Sequence, residues 1–216
     1  MKYLIFGDVH GNLPALEKLF KLEKGNYDKA ICHGDVVNYG PWSNECVDLL
    51  ESIPNLVKLL GNHEENYLGG NYTGSNEVAN AFFKFCYPGF SRVDEISNYQ
   101  KSTRTEDFNI QHTIRSRYIF PDSDLEELHL DKNYIIGHSH YQFDRSFRDH
   151  RLVNTGSLGQ NRRLLNVAEY VLLDEEKGLV ELKSFEYDIE KVISRMVQDE
   201  YPEICINYYR NKPTTI

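Results

Sequence analysis

The chain has 216 residues, 40% of them hydrophobic and 26% charged, with a mean hydropathy of −0.55. That length most simply builds one domain with a substantial core. The formal charge of −9, from 24 basic and 33 acidic residues, excludes wide nonspecific binding to extended nucleic acid or to acidic membranes, because both need a basic face. A small anionic substrate stays open, since bound dications reverse the field locally.

The first segment, "MKYLIF", carries one lysine and too few apolar residues for a signal-peptide core. No apolar run reaches the length of a membrane span, so a cytoplasmic protein is expected. The four cysteines, Cys32, Cys46, Cys86 and Cys205, contain no C-x-x-C pair and read as reduced, packed thiols.

Along the chain, "YLIFGDVHGN" is an apolar run that stops at Gly7, Asp8 and His10. Asn12 can cap a helix carrying Leu13, Leu16, Leu19 and Phe20 on one face, with Pro14 tolerated in its first turn. "KAICHGDVVNYG" runs into Gly34 and Asp35, and Ser43 or Asn44 starts a helix with Val47, Leu49 and Leu50 inward. "LVKLLGNHEEN" runs into Gly61, Asn62 and His63. "NEVANAFFKFCY" has the period of an amphipathic helix, and "FNIQHTI" is a short strand ending at His112. "YIIGHSH" stops at Gly137, His138 and His140, and "LVNTGSLGQNRR" follows. "EYVLLDEEKGLVELKSFEY" reads as a hairpin turning near Gly178. Asp188 can cap a helix striped with Ile189, Val192, Ile193, Met196 and Val197, ended by Pro202. The tail "CINYYRNKPTTI" reads as loosely ordered or as a contact between copies of the chain in a homo-oligomer.

Four apolar segments therefore stop at a glycine followed at once by Asp, Asp, Asn or His. Short apolar runs fit strands buried on both faces, and the helices between the first three make a βαβ series with parallel strands. Parallel strands put their C-terminal ends on one edge, where ligands of open α/β sheets bind, so the four corners should meet there. In "GHSH", His138 and His140 stand at i and i+2, which share one face of a strand roughly 6.6 Å apart. Asp, Asn and His offer oxygen and nitrogen donors without thiolate, a set that suits Mn²⁺, Fe or Zn²⁺. Asp8, His10, Asp35, Asn62, His138 and His140 are too many for one ion, and two close ions sharing a carboxylate would use them.

This order of motifs (Asp-x-His, Gly-Asp, Gly-Asn-His-Glu, a lone His, then Gly-His-x-His) resembles the calcineurin-like metallophosphoesterases. The resemblance covers residues 1–173 and is closest to the small bacterial and archaeal branch of phosphodiesterases and dinucleoside-tetraphosphate hydrolases. It implies an α/β sandwich of four layers, two mixed sheets flanked by helices, with the site at the strand ends. It also implies roles by position. Asp8, His10, Asp35 and His140 would hold one divalent ion, and Asp35, Asn62, His112 and His138 the other. Mn²⁺ is the first choice, with Fe, Zn²⁺, Ni²⁺ or Co²⁺ as alternatives. His63 would face the substrate, and a hydroxide held between the ions would attack phosphorus in line. The sequence departs from the pattern at three positions. Thr113 follows His112 where Gly is usual, Glu64 stands where many small members carry Asp, and Thr155 replaces Pro. The last two are read as touching no essential role.

One domain over residues 1–200 follows from this reading, with a cap-like insertion around 64–111 and a C-terminal tail over 201–216. Most aromatic residues of the insertion (Phe82, Phe83, Phe85, Tyr87, Phe90, Tyr99) read as core. Tyr67 and Tyr72, in a Gly/Asn-rich stretch, are the ones expected to meet substrate. Arg115 and Arg162 are candidate phosphate contacts, beside Arg117 and Arg163. His33, His129 and His150 receive no functional role. The expected activity is hydrolysis of a phosphodiester or a nucleotide-like phosphate ester or anhydride. The alternatives are dinucleoside polyphosphate hydrolysis, protein phosphatase activity, and a noncatalytic binding scaffold of the same fold.

Overall fold

The computed structural model describes residues 1–215. In chain order, β1 (Lys2–Phe6), α1 (Leu13–Leu22), β2 (Lys29–Cys32), α2 (Ser43–Ser52) and β3 (Leu56–Lys58) form the βαβ series. Three helices follow, α3 (Asn62–Gly69), α4 (Glu77–Cys86) and α5 (Val93–Ser97). Next come β4 (Ser102–Arg104), β5 (Phe108–Gln111), β6 (Asn133–Ile136), β7 (Phe143–Phe147) and β8 (His150–Asn154). The chain closes with the hairpin β9 (Val167–Asp174) and β10 (Leu179–Glu186), then α6 (Ile189–Gln198) and α7 (Glu203–Arg210).

Two mixed sheets of five strands, flanked by helices, make an α/β sandwich. The first has the order β10-β9-β1-β2-β3 and the second β4-β5-β6-β8-β7. Strand alternation distributes the apolar side chains between layers. Tyr3 and Ile5 of β1 and Ile31 of β2 turn inward against Ile110, Ile135 and Val153 of the second sheet. Leu4, Phe6, Ala30 and Cys32 turn outward onto Leu16 and Leu19 of α1 and Val47 and Leu50 of α2. A fully buried Leu, Ile, Val or Phe among these is worth about 1.5–3 kcal/mol relative to exposure. On the far side of the second sheet, Ile136 and Leu152 are covered by Ile114, Ile119, Leu125 and Leu128 from an irregular segment with one 3₁₀ turn.

Some of the local signals hold and others do not: Asp188 stands at the N-cap of α6, but its side chain makes no capping bond. The Asn12 side chain accepts from the Ala15 N–H and caps α1. Gly178, at φ 61°, turns the β9–β10 hairpin. On α6 the buried stripe is Ile189, Val192, Ile193 and Met196, whereas Val197 is 45% exposed. Ser43 opens α2, but its hydroxyl accepts from the Asn38 N–H and not from its own helix.

Two elements differ from the reading. The Gly137 corner belongs to β6, in the second sheet, so the four corners do not share one sheet edge. They meet because β1, β2 and β3 are parallel in one sheet, β5, β6 and β8 are parallel in the other, and both triplets end on the same side. The described part of the tail is also not loose. Residues 203–210 are helical, with Cys205 and Tyr209 buried in the core that holds Phe82 of α4. Within residues 64–111, the helices α3 to α5 bury Tyr67, Phe82, Phe83 and Ile96 in the core over the first sheet, and β4 and β5 are strands of the second. Among the described residues, no helix is long and apolar enough to cross a membrane. All four cysteines are free thiols.

Candidate metal centre

Each strand end enters the site through a sharp reversal. Asp8, His10, Asp35, His138 and His140 all have φ between 49° and 69°, the left-handed region that L side chains enter at a cost of about 1–2 kcal/mol each. The loops are held there by backbone bonds that extend past the strands. Asp8 N donates to Gly34 O at 2.9 Å, His10 N to Asp35 O at 2.9 Å and Gly11 N to Val36 O at 2.8 Å. The turn after β8 clasps the first loop from the other sheet, with Leu158 N on Gly7 O at 3.1 Å and the Ser157 hydroxyl on Asp8 O at 2.8 Å. Two glycines are required by proximity. A Cβ on Gly61 would overlap the Asp35 carboxylate, and one on Gly137 would overlap Asp8 and the His33 ring.

The first donor group is Asp8, His10, Asp35 and His140, all buried, with their ligand atoms within 4.8 Å of one another. His10 Nδ1 donates to Val37 O at 3.3 Å and His140 Nδ1 to Gln160 O at 2.8 Å. In the tautomer with the proton on Nδ1, each ring presents an Nε2 lone pair, and the two Nε2 atoms face each other at 3.2 Å. Asp8 Oδ1 lies 3.1 Å from His140 Nε2, is buried, and has no hydrogen-bond partner among the described residues. Acceptors crowded on one point without a donor are costly unless a cation lies between them, so the donor set fits a divalent ion.

The second group is Asp35, His112 and His138. Around His112 Nε2 lie Asn62 Oδ1 at 3.0 Å, His138 Nδ1 at 3.1 Å and Asp35 Oδ2 at 3.2 Å. One ring nitrogen has at most one proton, and it cannot satisfy three acceptors. This set fits a second ion, and Asp35 belongs to both groups. The structure thus brings together all seven sequence-predicted ligands, including His112.

Charge follows the same geometry. Burial alone would raise the carboxyl of Asp8, but His140 beside it outweighs that and holds it well below the usual range. Asp35 is lowered in the same way, against burial, chiefly by His112. Burial depresses the His112 imidazole too, but Asp35 overcomes it and lifts the ring to about 9. His33 and His138 are pushed down to about 4, mainly by burial.

His63 joins neither donor group. Its Nδ1 shares a hydrogen bond with the Asn38 amide at 3.0 Å, which leaves Nε2 at 4.0 Å from Asp35 Oδ2, on the rim of the cluster. Its ring packs edge-on against His10 at 4.9 Å. Glu64, read as touching no essential role, proves central. Its buried carboxylate accepts from four backbone N–H groups, those of Asp35, Val36, Val37 and Gly61. In return Asp35 Oδ1 accepts from the His63 N–H at 2.9 Å, locking the β2 loop to the first turn of α3.

Thr155 is likewise more than a neutral replacement for proline. Its hydroxyl bonds His33 Nε2 at 2.7 Å, and both residues are fully buried. His33, left without a role, lies beneath Gly7 and Gly137 and groups with Asp8 and His112. The neighbouring His-Gly-Asp and Gly-His-x-His corners were the available signal. His129 is exposed, and His150 is half-buried at the start of β8.

Among the substrate candidates, Tyr67 is a correction. Helix α3 begins at Asn62, so Tyr67 lies on its inner face and not in a loop. It is 1% exposed, packed edge-on against Phe83, Tyr87 and Phe90. Tyr72 is half-buried against the same core. Arg115 is exposed and lines a cavity of about 430 Å³ with Asn62, His112, His138 and Tyr118. Arg117 instead pairs with Glu127 at 2.8 Å. Arg162 is half-buried and donates to the Tyr208 hydroxyl at 3.2 Å. Tyr118 escaped the sequence reading because it lies outside the aromatic-rich stretch. It is 57% exposed and stacks on His138 with ring centres 4.0 Å apart.

Residues 1–175 match the calcineurin-like phosphoesterase family model, and the chain belongs to that family. The protein MJ0912 of Methanocaldococcus jannaschii is 28% identical over 92% of this chain and 93% of its own length. A metallophosphoesterase from Sphaerobacter thermophilus superposes with a TM-score of 0.80, 22% identity, and coverage of 97% of this chain and 98% of that one. The protein PH1004 of Pyrococcus horikoshii gives a TM-score of 0.81 at 17% identity, covering 96% and 97%. These structural likenesses establish the fold.

Proposed function

We propose that the protein is a two-metal phosphoesterase that hydrolyses a phosphodiester or a nucleotide-like phosphate ester or anhydride. The observation that carries this is the pair of buried donor groups sharing Asp35, each crowding acceptors on one point with too few protons to satisfy them. Two divalent ions bound there would supply Lewis acidity toward phosphoryl oxygens and lower the pKa of a coordinated water. The donors are oxygen and nitrogen without thiolate, which favours Mn²⁺, with Fe, Zn²⁺, Ni²⁺ or Co²⁺ as alternatives.

The chain's own side chains divide the remaining work. Asp8, His10 and His140 would hold one ion, Asn62, His112 and His138 the other, and Asp35 both. His63, anchored by Asn38, presents Nε2 at the rim, where it would hydrogen-bond a phosphoryl oxygen or protonate the leaving oxygen. A noncatalytic scaffold would have no use for that orientation. Arg115, at the mouth beside the second group, is suited to a substrate anion. The partner implied is a small phosphorylated molecule.

The test is Mn²⁺-dependent hydrolysis of bis-p-nitrophenyl phosphate, with metal content measured on the same samples. Wild type should turn over, and Asp35→Asn should lose at least about a hundredfold in rate together with bound metal. A wild type inert with each of Mn²⁺, Fe²⁺, Co²⁺, Ni²⁺ and Zn²⁺ would overturn the reading.

A further inference from the structure

The last helix and the residues after it are fastened to the loop that supports His140. Gln160, whose carbonyl accepts from His140 Nδ1, donates through its side chain to the Tyr209 hydroxyl. Leu165 N donates to Pro213 O at 2.8 Å, and Thr215 N to the Asn166 side chain at 2.9 Å. Residues 208–212 are thereby held against Arg162.

Three side chains meet there. Arg162 donates to the Tyr208 hydroxyl at 3.2 Å, and Lys212 Nζ lies 4.4 Å from the centre of the Tyr208 ring. The Lys212 ammonium is buried with no hydrogen-bond partner among the described residues. Both cations are half-buried, and neither comes within 4.0 Å of a carboxylate among those residues, although the chain carries 33 acidic groups. Tyr208 lies 6.0 Å from Tyr39, ring to ring, and Tyr39 packs on His10 at 4.8 Å and on His63 at 5.4 Å. Burial raises the hydroxyl pKa of Tyr39 and of Tyr118, the rings that pack on His10 and His138, and the Arg162 charge opposes that rise in both. Through Tyr208 and Tyr39, Arg162 thus connects the C-terminal segment to the side of the centre that holds His10 and His63.

Two neighbouring cations without a counter-ion repel one another. Burial and then Arg162 push the Lys212 amine down to about 7. An anion between them would relieve both costs. The guanidinium fork suits two oxygens at once, the ammonium adds a point charge, and Tyr208, which accepts from Arg162, keeps its own O–H to donate.

We propose that Arg162, Tyr208 and Lys212 form an anion subsite beside the metal centre that holds a second phosphate of the substrate. The natural substrate is then a phosphate ester or anhydride carrying at least two phosphoryl groups. This rests on the phosphoesterase reading for its meaning, but the subsite can be tested without turnover.

The experiment is calorimetric titration of metal-free, full-length protein with pyrophosphate at fixed ionic strength. Wild type should bind, Arg162→Gln and Lys212→Gln should each weaken binding at least tenfold, and Lys212→Arg should retain most of it. Lys191→Gln, at an exposed position of α6, controls for general charge, and thermal melting controls for folding. No binding by wild type, equal binding by all variants, or a loss that Lys212→Arg fails to rescue would each overturn the subsite. A protein that binds pyrophosphate in this way yet is inert toward bis-p-nitrophenyl phosphate keeps the subsite and loses the two-metal reading. Turnover without such binding does the reverse.

Discussion

Glu64→Gln is the sharpest probe of how the centre is built. Glu64 Oε2 accepts from Asp35 N at 2.7 Å and Gly61 N at 2.8 Å, and Oε1 from Val36 N at 2.7 Å and Val37 N at 3.1 Å. The amide is isosteric, but its NH₂ must replace one of these oxygens and would point at two backbone donors. Hydrogen bonds to a charged group are worth about 1.5–3 kcal/mol each, so losing two costs about 3–6 kcal/mol. Burial and then the neighbouring Asp35 charge push Glu64 up to about 7, so removing its charge returns part of that, leaving a net loss of about 2–4 kcal/mol. The same bonds fix the loop that presents Asp35, so Mn²⁺ affinity should fall about 10- to 100-fold. Urea denaturation of the metal-free protein reads the first quantity and calorimetry with Mn²⁺ the second. A variant within about 0.5 kcal/mol of wild type that binds Mn²⁺ equally well would refute the argument, since that is the range of an ordinary surface substitution.

Three further outcomes are expected. Tyr67→Ala should destabilise by about 3–5 kcal/mol, as for a buried aromatic, with KM for a diester substrate little changed; a large KM effect in a stably folded variant would restore Tyr67 to the substrate site. His63→Gln should lower kcat about a hundredfold or more while the bound-metal content holds, and loss of metal would instead make His63 a ligand. His33 is held down to about 4, against an ordinary value near 6.5, so the folded state keeps it neutral where the unfolded chain takes a proton. Its contribution is full above pH 6.5 and is lost as pH falls toward 4, by roughly 3 kcal/mol at most. In the metal-free protein the stability advantage of wild type over His33→Gln should therefore shrink from pH 6.5 to 4.5 in urea melts. A constant gap would place His33 outside this account.

The sequence by itself determined the strand–helix alternation, the glycine-ended corners and the chemical types of the ligands. These are local properties: a run of Val, Ile and Leu sets the strand, Gly61 or Gly137 sets the reversal, and the next residue is the donor. Tertiary structure decided which corners share a sheet, because "YIIGHSH" has the same local pattern whether it pairs with β1 or with β5. It decided that Tyr67 is core, since the start of α3 at Asn62 sets which face of the helix residue 67 occupies. The pairings of Glu64 with Asp35, of His33 with Thr155 and of Arg162 with Tyr208 span 29, 122 and 46 residues. Nothing in the immediate neighbours of these residues encodes such contacts. They arise only when the closing of the two sheets brings distant polar groups into a space that water has left, where each must find a partner.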